Sequence, residues 1–310
     1  MTVGIACVAM IASAATLKVP GDYATIQAAI NASANGDTVL VAPGIYREII
    51  DFGLRRISLV STDGADATVI DADLDEDGVG NGRVMYIGGG QTSTTVVEGF
   101  TIRNGRFDGY GAGIGTNSTS PVIRRNKIVG NATLNPSGTL RHGGGIGLRG
   151  GSAVVQDNVI SGNYAHNSGA GIYTENFAGV IENNVIVAND GYWGGGIGLW
   201  GGGTTQPVVR NNLIYGNVSH GDARGGGIMT VNAPGALLVN NTVAGNSSVS
   251  GGGIAVFTAN GTIVRNCIVW GNTATTGPDV HGTANAQWFF NDLGSDNGGG
   301  LIGANGNISA

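Results

Sequence analysis

A repeat constrains this chain more than any other feature. A Gly-(Gly/Ala)-Gly-Ile block recurs, ending at Ile114, Ile146, Ile172, Ile197, Ile228 and Ile254. After each comes an Asn, a short apolar run and a closing Asn: Asn126 to Asn131, Asn158 to Asn163, Asn184 to Asn189, Asn212 to Asn217 and Asn241 to Asn246. A further copy, Cys267 to Asn272, puts Cys in the first place, and Gly99 to Asn104 reads as an earlier, degenerate one. The closing Asn residues are 27, 32, 26, 28, 29 and 26 apart. Stacked coils produce a period of this kind, because each coil must match its neighbours in the strands but can bulge at a turn.

The coils are strands and turns rather than helices. Runs such as Pro121-Val122-Ile123 and Ala153-Val154-Val155 are short, β-branched and bounded by Gly and Asn, with no 3.6-residue pattern. Period two sends each repeat Ile and the residue two later (Thr116, Leu148, Thr174, Leu199, Thr230, Val256) inward. Gly115, Gly147, Tyr173, Gly198, Met229 and Ala255 then face outward. The asparagines are expected at sharp bends, in left-handed conformation, with their amides bonded to neighbouring coils. The sequons at Asn131 and Asn217 are therefore ladder positions. Near the N-terminus Ile26, Ala29 and Ile30 share one helical face, ended by Asn35-Gly36, and Thr38 to Val41 and Ile57 to Val60 read as strands. This helix is expected to cap the open end of an all-β solenoid of about ten coils. The cap spans about 16–50 and the clear repeats about 95–275 of one domain, 15–310. No comparable cap is legible at the C-terminal end, which reads as truncated or uncapped.

Composition narrows the function classes. Hydrophobic residues are 41%, too many for a disordered chain, and the 58 Gly lack collagen's period. The net charge is −6 and Lys occurs only at Lys18 and Lys127, which argues against nucleic acid. Residues 1–14 are apolar and small, and Ala12-Ser13-Ala14 fits a signal-peptidase site, so a secreted or cell-surface protein is expected. No other stretch approaches the roughly 20 apolar residues of a membrane span. Cys7 and Cys267 are expected to stay unpaired.

The stretch Val19 to Glu48, VPGDYATIQAAINASANGDTVLVAPGIYRE, followed by these coils, resembles the pectin-lyase-like superfamily of right-handed parallel β-helices. It is particularly similar to the parallel β-helix repeat group, NosD-like proteins included, of carbohydrate-binding and sugar-hydrolase proteins. The resemblance covers nearly the whole chain from about Thr16. It implies a polysaccharide or cell-surface glycan as partner, bound and then cleaved by lyase or hydrolase chemistry. The superfamily also holds non-catalytic surface and adhesion modules, and fold does not choose between them. The polygalacturonase Asn-Thr-Asp, Asp-Asp and Arg-Ile-Lys signatures and the epimerase Asp-Pro-His are missing here.

Two places depart from the repeat. Asp73, Asp75, Asp77 and Gly78 match the first half of a calcium loop, where alternate carboxylates converge on a hard cation. Asp71 and Asn81 flank it as further ligands, Val84 stands at the twelfth position, and structural Ca2+ is the expected cofactor. The second place is the turn before each Gly-rich block. Counting back four from each Ile gives a surface column: Tyr110, His142, Ser168, Trp193, Arg224, Ser250. Coils about 4.8 Å apart make its members neighbours. His142, His166, Arg141, His220, Asp222 and Arg224 are the catalytic candidates, as acids, bases or carboxylate clamps. Tyr110, Asp108, Tyr164, Asp190, Tyr192 and Trp193 are the substrate-binding candidates.

Overall fold

The computed structural model describes residues 13–134, 142–201, 205–221, 225–258 and 261–309, save 283, 285 and 297. Each coil runs through the same course. Val122–Arg124 belongs to sheet I, Lys127–Val129 to sheet II, Ala132–Thr133 to the short sheet III and Ile146–Arg149 to sheet IV. The chain then re-enters sheet I at Val154–Gln156, one coil on. Among the described residues sheets I, II, III and IV have 11, 10, 5 and 9 strands, and their neighbouring strands are parallel. The chain is thus an all-β parallel solenoid.

The register follows the repeat. Ile114, Ile146, Ile172, Ile197, Ile228 and Ile254 pair in one column. All six are fully buried, as are Ile128, Ile160, Ile186 and Ile214 of sheet II. The residues two beyond the sheet IV column are also buried, including Thr116, Thr174 and Thr230. Their hydroxyls have no hydrogen-bond partner among the described residues, so the threonines serve only as β-branched shapes.

Two asparagine ladders hold the bends between strands. In the first, Asn184 Oδ1 accepts from Asn158 N and from Asn158 Nδ2, each at 3.0 Å. Its Nδ2 donates to Val155 O at 2.9 Å and to Asn212 Oδ1 at 3.0 Å. The second ladder repeats this from Asn131 to Asn272 and ends on Asp279, whose Oδ1 accepts from Asn272 N and Nδ2. Cys267 interrupts the first ladder, and burial pushes its thiol up to about 11.

The ladder residues are not the left-handed ones. Positive φ falls one residue earlier, at Arg125, Asp157, Asn183, Asn211, Asn240 and Asn266, and at Gly130, Gly162, Ala188, Gly216, Gly245 and Gly271. Left-handed backbone turns the chain, and the Asn after it projects its amide inward. The earliest copy is consequently shifted by one. Asn104 is left-handed at φ 59°, and Gly105 holds the ladder place, its N donating to Asn131 Oδ1 at 2.8 Å.

Helix α1, Ile26–Ala32, buries Ile26, Ala29 and Ile30 against the first coil, with Thr25 as N-cap. It ends at a Ser33 cap, before Asn35-Gly36, because Ser33 N and Oγ satisfy the last carbonyls. The strand Thr38–Val41 falls where expected, while the next covers Ser58–Ser61. At the other end Leu301 packs against the core, and the Asp296 carboxylate accepts from Gly298, Leu301 and Ile302. No helix among the described residues is long and apolar enough to cross a membrane.

Asn184→Ala leaves Asn158 N and Val155 O without their side-chain partners in a dry interior. The expected loss is roughly 2–5 kcal/mol, read from urea unfolding. Thr174→Val goes the other way, removing a buried hydroxyl that bonds to nothing. It is expected to stabilise by about 1 kcal/mol in the same measurement, and a loss would show that the hydroxyl is satisfied in solution.

Candidate functional site

The column counted back from the Ile positions exists, but it is no open surface. Tyr110 bridges to His142, His142 to Ser168 and Ser168 to Trp193. His142 is only 4% exposed and Ser168 is fully buried. Where it is described, the turn before a Gly-rich block folds back against the outer side of sheet IV, as Tyr110 and Gly111 do over Gly115 and Gly147. For the same reason Tyr173, Met229 and Ala255, outward-facing by period two, are covered rather than exposed.

Where turn and sheet meet, aromatic and cationic side chains form a continuous stack. His142 lies between Tyr110, at 5.3 Å between centroids, and Tyr173, at 4.2 Å. Trp200 stands 6.4 Å from His142 and 6.1 Å from Trp193, which contacts Tyr192 at 5.4 Å. Arg149 caps Tyr110 at 4.5 Å, and Arg83 sits 4.8 Å over Tyr86 and 4.1 Å over Phe107. Gly115 makes this possible, since a Cβ there would lie 2.7 Å from Arg83 Nε.

The charges are tied down. Arg83 donates to Gly111 O at 3.1 Å and Tyr110 O at 2.8 Å, and burial holds its guanidinium below its ordinary value. Arg149 Nε donates to Glu175 Oε2 at 2.8 Å. Burial works to lower Arg149, but the Glu175 bond and charge, with Tyr110 and Tyr173, outweigh it and raise it. Burial, then the charge of Glu175, raises the Tyr173 phenol well above its ordinary 10.0.

Three adjoining cavities follow this line. One of about 470 Å³ is lined by Asp51, Asn81, Arg83, Tyr86, Arg106, Phe107 and Asp108 among others. It shares Arg83 and Tyr86 with a cavity of about 130 Å³ that reaches Tyr110, Asn117 and Arg149. That one shares Asn117 and Arg149 with a third, about 210 Å³, ending at Glu175 and Asn176. Together they make an open groove along the stacking axis.

The sequence candidates divide among several places. Asp108 lines the groove, and Tyr110, His142 and Trp193 belong to its stack. Tyr164, His166, Asp190, Tyr192 and His220 lie on the strands of sheet III and the residues beside them, where His220 Nε2 stands 2.9 Å from Asp190 Oδ1. Arg141, Asp222 and Arg224 lie outside the described residues. Asp73, Asp75 and Asp77 come together, each with a carboxylate oxygen within 4.8 Å of the others. Asp71 is not part of that cluster. Its carboxylate takes Arg103 Nε and Asn104 Nδ2, both at 2.8 Å, and these bonds with Asp73 N hold it low against the effect of burial. Asn81 Oδ1 accepts from Leu74 N, so it ties the loop instead of facing the cluster.

Sequence reasoning missed Arg83, Tyr86, Arg149, Tyr173, Glu175 and Trp200. A signal was present: Tyr86 and Tyr173 stand in register with Gly115, Gly147 and Gly198. A large ring where neighbouring coils carry Gly marks a departure from the repeat. Asn117, Arg149, Glu175 and Trp200 form the next outward row.

A family model described as a right handed beta helix region matches residues 64–223 and 139–306. Among solved structures, the pectin methylesterase from carrot shares the fold at a TM-score of 0.52 and 13% identity, over 91% of this chain and 89% of that one. The mannuronan C-5 epimerase A-module from Azotobacter vinelandii gives 0.46 at 20% identity, over 86% and 80%. Pectin methylesterase PemA from Erwinia chrysanthemi gives 0.45 at 13%, over 97% and 94%. No curated protein sequence matches the chain.

The raised Tyr173 phenol has a consequence for stability. An unfolded chain releases this proton near pH 10, while the folded chain keeps it. The stabilisation is present below 10 and is lost as pH climbs from there towards the raised value. The urea midpoint of the wild type is therefore expected to fall further between about pH 9 and about pH 11 than that of Tyr173→Phe. Equal falls would place the ring in solvent.

Proposed function

We propose, for a chain that belongs to the right-handed beta helix family, that the groove outside sheet IV binds an extended polysaccharide along the coil axis. The observation that carries this reading is the continuity of the groove from Asp51 to Asn176, past rings and guanidiniums presented coil by coil. Coils repeat at about 4.8 Å, close to the length of one sugar unit, so a polymer can meet similar groups at each step. Tyr and Phe faces stack on the apolar faces of sugar rings, while Arg, Asn and Asp side chains bond hydroxyls or carboxylates. Binding of this kind uses the groove as it stands. Cleavage would ask more of His142, which is enclosed between two tyrosine rings. We therefore favour a binding module, exported on the apolar leader of residues 1–14, over a lyase or hydrolase.

The test is affinity electrophoresis and calorimetry against neutral and uronate polysaccharides. Pectin heads the panel because the carrot protein of like fold is a pectin methylesterase. Tyr110→Ala and Arg149→Ala are each expected to weaken the bound polymer roughly tenfold, about 1.4 kcal/mol. Tyr215→Ala, on sheet II, should leave affinity unchanged. Binding to no member of the panel, or an equal loss in Tyr215→Ala, sinks the groove. New reducing ends or absorbance near 235 nm in the same incubations would replace the binding module with an enzyme.

A further inference from the structure

We propose that the loop from Asp73 to Gly78 binds Ca2+ through Asp73, Asp75 and Asp77, and that the bound ion holds one wall of the groove. The second half rests on the polysaccharide reading above; the first does not.

Asp73, Asp75 and Asp77 each bring a carboxylate oxygen within 4.8 Å of the others, close enough to share one cation. Asp73 adds an independent sign. It is only 8% exposed, and its Oδ1 is buried with no hydrogen-bond partner among the described residues. Its Oδ2 accepts from Gly78 N at 3.1 Å, so the carboxylate faces into the loop. An ionised oxygen buried without a partner is costly, and a cation answers it. Left-handed backbone at Glu76, φ 63°, and Gly78, φ 83°, wraps the loop around that point. The remaining acids are engaged elsewhere: Glu76 pairs with Arg47 at 3.3 Å, and Asp71 with Arg103. Carboxylates on an exposed turn suit the adaptable coordination of Ca2+ better than the strict octahedron of Mg2+.

The link to the groove is short. Ala72 O accepts from Asn81 N at 2.8 Å and Asn81 Oδ1 from Leu74 N at 2.6 Å, closing the loop at its base. Asn81, Gly82 and Arg83, which follow at once, line the 470 Å³ cavity. Gly82 O accepts from Arg106 N at 2.8 Å, another lining residue. Whatever fixes residues 73–78 therefore fixes the wall that presents Arg83.

The test titrates CaCl2, and separately MgCl2, into the chelator-stripped full chain by calorimetry. The double variant Asp75→Asn, Asp77→Asn changes two exposed residues, and Glu76→Gln is the control. We expect saturable Ca2+ binding, Mg2+ at least about tenfold weaker, at least about a tenfold loss in the double variant, and no change in Glu76→Gln. Absence of Ca2+ heat together with an unchanged Tm, or equal binding in the double variant, overturns the metal site. Polysaccharide affinity is then compared between wild type and double variant at the same free Ca2+, which cancels any effect of the ion on the polymer. A severalfold weaker double variant supports the coupling. Equal affinities, with Ca2+ binding retained in the wild type, overturn the coupling and leave the groove standing. If no polymer binds either protein, the groove fails and the metal site is judged by its own titration.

Discussion

The backbone polar groups that a bend buries need partners, and in a stacked coil these lie in the coil above or below, at one fixed spacing. The asparagine ladders answer that constraint, and the rest of the molecule depends on them. Each bend brings backbone N–H and C=O groups into the interior, where each needs a partner. A side chain placed there must donate and accept at once. Asn does both, so the amide of Asn184 can receive Asn158 N while donating to Val155 O. Asp lacks the donor, which suits it to the end of a ladder, where Asp279 accepts from Asn272 and from Ser295. Cys267 shows the weaker solution, a thiol that donates at 3.4 and 3.6 Å to carbonyls an amide would bind more closely.

Because the ladders fix the bends flanking sheet II, length variation is confined to the far side of the coil. The spacing from ladder Asn to ladder Asn ranges from 26 to 32, and insertions fall between sheets II and IV or between sheets IV and I. The turns before the Gly-rich blocks can then fold back upon sheet IV. What looks like loop decoration becomes a second layer, and the seam between the layers is the groove. The candidate site thus lies where the architecture leaves freedom, not where it repeats.

This explains what could be read from residues alone. The Ile column, the Asn ladders and the N-terminal helix follow from period and chemistry, and each lies where it was expected. Left-handed backbone was expected at the ladder Asn and occurs one residue earlier. A turn needs its special φ before the side chain that points inward, and spacing alone does not separate the two. Asn104 was misplaced for the same reason. Tyr173 and Trp200 of the stack were missed because period two assigns them simply to the outside, and a ring among glycines marks a departure from the repeat without saying what covers it. Whether an outside residue meets water or a folded-back turn depends on the path of the turn, which no local pattern encodes. The Asp73–Asp77 cluster was legible because its carboxylates are near in sequence, whereas Arg83 and Arg149 become neighbours of one ring system only through the stacking of coils.

The outward row of sheet IV also limits where a polymer can lie. At Gly115 the floor is open, and Arg83 descends into the gap to bond the carbonyls of Tyr110 and Gly111. At Tyr173 the floor is filled by a ring that meets His142 at 4.2 Å, within the field of Arg149 and Glu175. The groove therefore runs from a cavity of mixed charge, where Arg83 and Arg106 share the lining with Asp51 and Asp108, to the Arg149 and Glu175 pair. At one end Arg149 and Glu175 bond each other, while at the other Arg83 bonds the carbonyls of Tyr110 and Gly111 within the field of Asp51. On the proposed polysaccharide reading, that asymmetry between the two ends distinguishes the two directions of a bound polymer.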